Sequence, residues 1–285
     1  MTDVIQAPRA LRAACDAWRA QGRRVGLVPT MGALHVGHLS LIDAARARGA
    51  DRIVVSIFVN PLQFGPTEDL ARYPRTFDAD LAYCAERGVD VVYAPDAAAM
   101  YPAGFQTHVE VERLTQGLEG AERPTHFRGV TTVVAKLFHA TGPCVACFGR
   151  KDYQQLRVVA AMARDLDISV EIVECPIVRE PDGLALSSRN RYLDPAQRVR
   201  ALALHRGLLA ADTAWRDSER AGERLEALAR GAMERSLDAV DYAVLAGADD
   251  LVRVAGLAEG RVVLLVAGRL GATRLLDNAI LGEPW

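Results

Sequence analysis

The chain has 285 residues, half of them hydrophobic, and 34 basic against 36 acidic residues leave a formal net charge of -2. That composition permits one large domain or two moderate ones, each with its own core. No basic stripe marks a nucleic-acid surface, no apolar run is long enough to span a bilayer, and the start MTDVIQAPRALRAACDAW does not read as a signal peptide, so a cytoplasmic location is expected.

Val25-Gly26-Leu27-Val28 predicts a strand. The run Pro29-Thr30-Met31-Gly32-Ala33-Leu34-His35-Val36-Gly37-His38 follows as a sharp turn into a helix. Glycine lets backbone approach a ligand closely, and a helix N-terminus offers free N–H groups and the positive end of a dipole. His35 and His38 fall on one face of the helix start. Such a pair suits a phosphate-sized anion, and a charged histidine there would donate from both ring nitrogens. Alone, an H-x-G-H run reads more simply as a buried turn with two incidental histidines.

Ile53 to Val59 is nearly continuous in β-branched and aromatic residues, as in a strand covered on both faces. It exits into Asn60, Pro61 and Gln63, whose amides can hold a carboxylate or hydroxyl without adding charge, or can simply form an Asn-Pro turn. Val89 to Tyr93 predicts another strand, and Thr131 to His139 a helix with Val134, Leu137 and Phe138 inward. Cys144 to Phe148 predicts a buried strand carrying Cys144 and Cys147. Residues three apart on a strand point to opposite faces, so this C-x-x-C is expected to be structural rather than a metal or redox pair. The other cysteines, Cys15, Cys84 and Cys175, are scattered and suggest no disulfide framework.

The Val145 strand exits into Gly149, Arg150, Lys151 and Asp152, with Gln155 expected to face the same cleft as Gln63. Lys151 can meet a phosphate as a point charge and Asp152 can cap the helix over residues 156–166. Ile168 to Ile172 and Ile177-Val178 read as strands, and the loop Asp182 to Asn190 presents Ser187, Ser188 and Arg189 as donors for a polyphosphate. Each segment is also explicable as an ordinary capped helix or surface loop. Their recurrence at strand exits favours one shared anionic site, because ligands of parallel sheets sit at the carboxyl ends of the strands.

Strands alternating with helices predict an α/β fold over residues 1–177, a parallel sheet with helices on both faces. Residues 178–285 predict a smaller α+β domain: helices over 195–210 and 218–235, then strands over 239–245 and 261–267. This second domain is expected to close over the site.

The pieces LVPTMGALHVGH, SIFVNPLQF, YPRT, PTHFRGV, FGRKDYQQL and DGLALSSRNRYL stand in order from near residue 25 to residue 193, and TRLLDN follows near the end. In this set the chain resembles the pantothenate synthetase (pantoate–β-alanine ligase) family of Rossmann-like nucleotidyltransferases with HIGH and KMSKS-type signatures. The resemblance implies ATP-dependent, Mg2+-using condensation of pantoate with β-alanine through a pantoyl adenylate, by a homodimer. It implies that Met31, Gly32, Ala33, Leu34, His35, Val36, Gly37 and His38 bind ATP, with His38 the proton donor and His35 its phosphate-contacting companion. Gly149, Arg150, Lys151 and Asp152 match the second ATP segment, with Lys151 at the phosphates. Val178 matches a backbone contact to adenine, and Leu186, Ser187, Ser188 and Arg189 match the loop over the phosphates. Gln63 and Gln155 match the pantoate-holding glutamines, Gln63 also serving β-alanine, with Asn60 near the same centre. Asp80 is the candidate for the Mg2+ shell.

One position departs from the pattern. Where the family usually has glutamate, between the glycine and lysine of FG-x-KD, this chain has Arg150. That changes the local charge by about two units beside a polyphosphate. From the sequence alone, Arg150 can face either the site or solvent. Readings as an adenylyltransferase for another acid, a nucleotide-binding regulator without catalysis, or an RNA-binding module fit less well. Intact Gln63 and Gln155 oppose the first, Arg150 alone favours the second, and near-neutral charge opposes the third.

Overall fold

Continuous apolar strands need cover on both faces, and the computed structural model, which describes residues 2–66 and 68–284, provides it. By its contacts the chain forms two units, Met1–Gly149 with Gln154–Cys175, and Arg150–Tyr153 with Pro176–Trp285.

The first unit holds β1 (Asp3–Ile5), β2 (Val25–Thr30), β3 (Arg52–Ile57), β4 (Val91–Tyr93), β5 (Cys144–Gly149) and β6 (Val170–Cys175). They form one parallel sheet in the order β1-β4-β3-β2-β5-β6. Its helices are α1 (Pro8–Ala20), α2 (Val36–Ala47), α3 (Phe77–Glu86), the single turns α4 (Ala97–Met100) and α5 (Glu119–Glu122), α6 (His126–Thr141) and α7 (Tyr153–Asp165), whose first residue groups with the second unit. Alternate strand residues enter two separate cores. Leu27, Val54 and Ala146 pack with Phe138 and Leu156, while Val28, Val55 and Val145 pack with Ile42.

Cys144 and Cys147 divide between those two cores, as a strand requires. Cys147 meets Cys175, which with burial holds its thiol protonated, and burial pushes Cys144 up to about 12. The chain order of β2 and β5 reverses direction in the sheet, so these neighbours flank the switch point where α/β sheets open a crevice.

Two strand expectations are corrected. The Ile53 strand stops at Ile57, two residues early, as the chain turns toward Asn60. The sixth strand runs over Val170–Cys175, and Pro176, which has no N–H to donate, ends it, so Ile177-Val178 is not a strand.

The second unit contains α8 (Pro195–Arg216), α9 (Gly222–Glu234), and the antiparallel sheet β7 (Ala239–Gly247), β8 (Val262–Leu270) and β9 (Thr273–Ile280) in that order. Asp194 and Gln197 cap α8 reciprocally: Gln197 N donates to Asp194 Oδ1 at 2.8 Å and Asp194 N to Gln197 Oε1 at 3.1 Å. Leu204, Leu208, Leu225 and Ala229 pack on Leu245, Leu264 and Val266 to form its core.

Candidate active site

The exit of β2 is a strained turn. The Thr30 hydroxyl donates to Ser56 O at 2.6 Å and accepts from Gly32 N at 3.1 Å. Gly32 and Ala33 then both take positive φ, +82° and +52°. A Cβ on Gly32 would stand 3.0 Å from Asp80 Oδ2 and 3.1 Å from Ile57 Cγ2. The Ala33 and Leu34 amides donate to Asp80 Oδ2 and Oδ1 at 2.9 and 2.8 Å. Thr76 Oγ1 lies 3.2 Å from each of those oxygens, and Asp80 is 1 % exposed.

The turn delivers His35 to the N-cap of α2. His35 Nδ1 accepts from Gly37 N at 3.2 Å, and His38 Nδ1 accepts from His35 N at 3.3 Å. The two rings thus cap the helix reciprocally, a task usually shared by Ser/Thr and Glu/Gln, and their centroids are 4.1 Å apart. A ring nitrogen that accepts carries no hydrogen, so each ring holds its proton on Nε2. This corrects the expectation of donation from both nitrogens: backbone N–H groups occupy the two Nδ1 atoms.

The exit of β3 is a locked pair of amides. Asn60 Oδ1 accepts from Leu62 N at 3.3 Å and from the Tyr101 hydroxyl at 2.8 Å. Its Nδ2 donates to Gln63 Oε1 and to Gly129 O, each at 3.1 Å. Gln63 Nε2 reaches Met31 Sδ at 3.0 Å, joining this cluster to the β2 turn. Asn60 and Gln63 are both buried, and their bonds fix which way each amide points. A Cβ on Gly129 would overlap the Leu62 carbonyl, so α6 lies against the turn only because residue 129 has none.

Beneath it, His126 Nδ1 and Arg123 Nη2 lie 2.9 and 3.3 Å from Gln63 O. A carbonyl only accepts, so His126 keeps its proton on Nδ1, and its Nε2 accepts from Arg123 Nη1 at 3.2 Å. Burial, and then the Arg123 charge, push His126 down to about 4. Glu68 pairs with Arg123 at 2.6 Å. A cavity of about 510 Å³ opens beside Met31, Gly32 and Pro61.

Beyond Gly149, residues Arg150–Asp152 form one 3-10 turn. Asn278 Nδ2 on β9 donates to Arg150 O at 2.8 Å and Lys151 O at 2.9 Å. Arg150 Nη1 meets Glu283 Oε2 at 3.0 Å, and Arg261 meets the same carboxylate at 2.6 Å. Lys151 Nζ lies 3.8 Å from Asp152 Oδ1. In α7, the buried Gln154 amide donates to Leu114 O and Gly117 O and accepts from Glu119 N, while the half-buried Gln155 follows it.

Within the second unit, Leu186 N donates to Val178 O at 3.0 Å, pinning two of the expected nucleotide positions together. Arg179 holds Asp277 with two bonds of 2.7 and 3.0 Å. Ser187 Oγ accepts from Arg189 N at 3.3 Å and caps the 3-10 turn Ser188–Tyr192.

A family model described as Pantoate-beta-alanine ligase matches residues 3–280. The chain belongs to this family. The pantothenate synthetase of Anaeromyxobacter dehalogenans is 55 % identical over 285 residues, covering 98 % of both chains. A crystal structure of the Thermus thermophilus pantothenate synthetase superposes with a TM-score of 0.92 at 46 % identity, covering 98 % of this chain and 99 % of that one. The Francisella tularensis pantoate-beta-alanine ligase, solved with Beta-gamma ATP and β-alanine, gives 0.81 at 31 % identity over 100 % and 99 % of the two chains. As a pantoate–β-alanine ligase, the enzyme condenses pantoate with β-alanine at the expense of ATP, releasing AMP and pyrophosphate by way of a bound pantoyl adenylate.

Several side chains that support the sequence-predicted positions within each unit carried no mark of their own in the sequence. Tyr101, Arg123, His126, Asn278 and Glu283 act through partners 41 to 133 residues away. The family pieces PTHFRGV and TRLLDN contain His126, Gly129 and Asn278, and they were the available signal.

The donor set at Asp80 does not fit Mg2+. Both its oxygens are taken by two backbone amides and a hydroxyl in a buried pocket. Mg2+ binds reluctantly without several waters and near-octahedral oxygen ligands. Among the described residues, no group of three or more His, Cys, Asp or Glu side chains is disposed around a common point.

Proposed function

We propose a division of labour among these residues in the ligation of pantoate to β-alanine. The observation that carries it is the reciprocal cap of His35 and His38, which directs two imidazole Nε2–H donors from the start of α2. These donors, with the helix N-terminus, neutralise charge on the phosphates of ATP as the pantoate carboxylate attacks the α-phosphorus and pyrophosphate leaves. His38 supplies the proton and His35 the companion contact.

Lys151 adds a point charge to the phosphates, and Met31 to Leu34 and Val36–Gly37 present backbone to the nucleotide. Gly149, Arg150 and Asp152 complete the second ATP segment, with Val178 at adenine. Leu186, Ser187, Ser188 and Arg189 form the loop over the phosphates.

Gln63 and Gln155 hold pantoate, and Asn60 fixes the Gln63 amide by its bond to Oε1. The β-alanine amine, near Gln63, attacks the acyl carbon of the adenylate, forming the C–N bond as AMP departs. No enzyme nucleophile is needed, because positioning and charge neutralisation supply the catalysis. Mg2+ comes with the nucleotide as its counter-ion and is not held by Asp80. None of the five cysteines forms a disulfide and all are buried thiols, which suits a reducing cytoplasm, where the enzyme acts as a homodimer.

ATP–pyrophosphate exchange, measured with pantoate and without β-alanine, tests this reading. Pantoate-dependent exchange is the expected result. Exchange indifferent to pantoate would reject the acyl-adenylate route, and a monomer in light scattering would reject the dimer.

A further inference from the structure

The turn between β2 and α2 sets two successive residues in the left-handed region, and the second is not glycine. An alanine held there is strained and persists only where its surroundings enforce it. Asp80 supplies that enforcement. It comes from the first turn of α3, and its two oxygens separately accept the two consecutive amides that the left-handed pair turns inward. Thr76, just ahead of α3, steadies the same oxygens. The next residue is His35, the cap that orients both rings.

We propose that Asp80 is a positioning residue for the reaction. Its carboxylate holds Ala33 at positive φ and thereby sets the His35–His38 pair, without touching substrate or metal. This rests on the reading of the histidine pair given above. A metal-ligand role would make Asp80 answer to Mg2+ concentration. A positioning role makes it answer to the conformational freedom of residue 33.

The test compares the wild type, Asp80→Asn, and Asp80→Asn combined with Ala33→Gly, in pantoate-dependent exchange titrated with Mg2+. An asparagine keeps one acceptor and turns a donor NH2 toward the other amide. Asp80→Asn is expected to slow exchange by about 10- to 100-fold, since small misplacements of catalytic groups cost that much. The Mg2+ requirement is expected to stay unchanged. Adding Ala33→Gly removes the left-handed penalty and is expected to recover several-fold of the loss.

Amide hydrogen exchange at Ala33 and Leu34 gives a readout independent of activity, and both amides are expected to exchange faster in Asp80→Asn. If that variant does not fold, Thr76→Val weakens the same clamp and is expected to shift both readouts in the same direction. Rescue by excess Mg2+, no rescue by Ala33→Gly, or unaltered amide protection would each overturn the proposal. A wild type without pantoate-dependent exchange would overturn the functional reading alone, and the amide protection would still decide the clamp.

Discussion

Arg150 is paired with Glu283: its Nη1 lies 3.0 Å from Glu283 Oε2. The arginine that departs from the family pattern therefore comes with its own counter-charge. Arg261 and then Arg150 hold the Glu283 carboxyl below its usual range. Partly exposed pairs of this kind contribute about 0.2–1 kcal/mol each. Arg150→Glu is expected to set two carboxylates together and lower the thermal midpoint by a few degrees, consistent with about 1 kcal/mol. Restoring opposite charge with Glu283→Arg in the same chain should recover part of it, the new arginine also standing against Arg261, as a double-mutant cycle by calorimetry would show.

The Asn278 side chain bridges two consecutive carbonyls, and only an N–H donor can do so. Asn278→Asp puts a carboxylate against them. The expected result is a loss of about tenfold or more in kcat/KM for ATP, since a buried acceptor left against acceptors costs on the order of 1–3 kcal/mol. The KM for pantoate should change much less. Steady-state kinetics with each substrate varied separates the two, and an equal rise in both would place Asn278 outside the nucleotide segment.

His35 combines a helix cap with a proposed phosphate contact, and the two roles can be divided. Asparagine is a good N-cap, whereas alanine forfeits about 1 kcal/mol. His35→Asn is expected to keep the wild-type thermal midpoint yet lose about 100-fold in turnover, the scale of one preorganised donor. His35→Ala should lose both. Retained turnover in His35→Asn would remove the ring from the chemistry.

Because His126 is neutral in its pocket with a value of about 4, the unfolded chain binds a proton there first as pH falls. Stability should therefore be full above about pH 6.5 and decline between about 6.5 and 4, by up to roughly 3 kcal/mol. His126→Asn keeps a donor toward Gln63 O and cannot titrate. Its thermal midpoint should fall less steeply over that window, and parallel curves would show that other groups carry the pH dependence.

In the sheet of the first unit, β2, β3 and β5 were legible because they are buried on both faces, which leaves apolar runs that permit little else, whereas the three-residue edge strand β1 was not expected. β9 was not legible, because Thr273, Asp277 and Asn278 break its apolar pattern, although all three are buried and Asp277 and Asn278 are paired within the fold. His35 and His38 stood out as a pair at helical spacing, whereas Met31, Asn60 and Gln63 took their roles from the family resemblance. Their supports did not stand out, because Asp80 meets Ala33 across 47 positions and Asn278 meets Arg150 across 128. Contacts of that span leave no local periodicity.

The empty place at Gly129 has a genetic consequence. Because a single added carbon there would collide with the Leu62 carbonyl, missense alleles at a helix position assigned no substrate contact should behave like lesions of Gln63 itself. A conservative Gly129→Ala exchange would then be harder to tolerate than many radical changes on the exposed side of α6. A screen for hypomorphs would find that codon among the least forgiving in the chain.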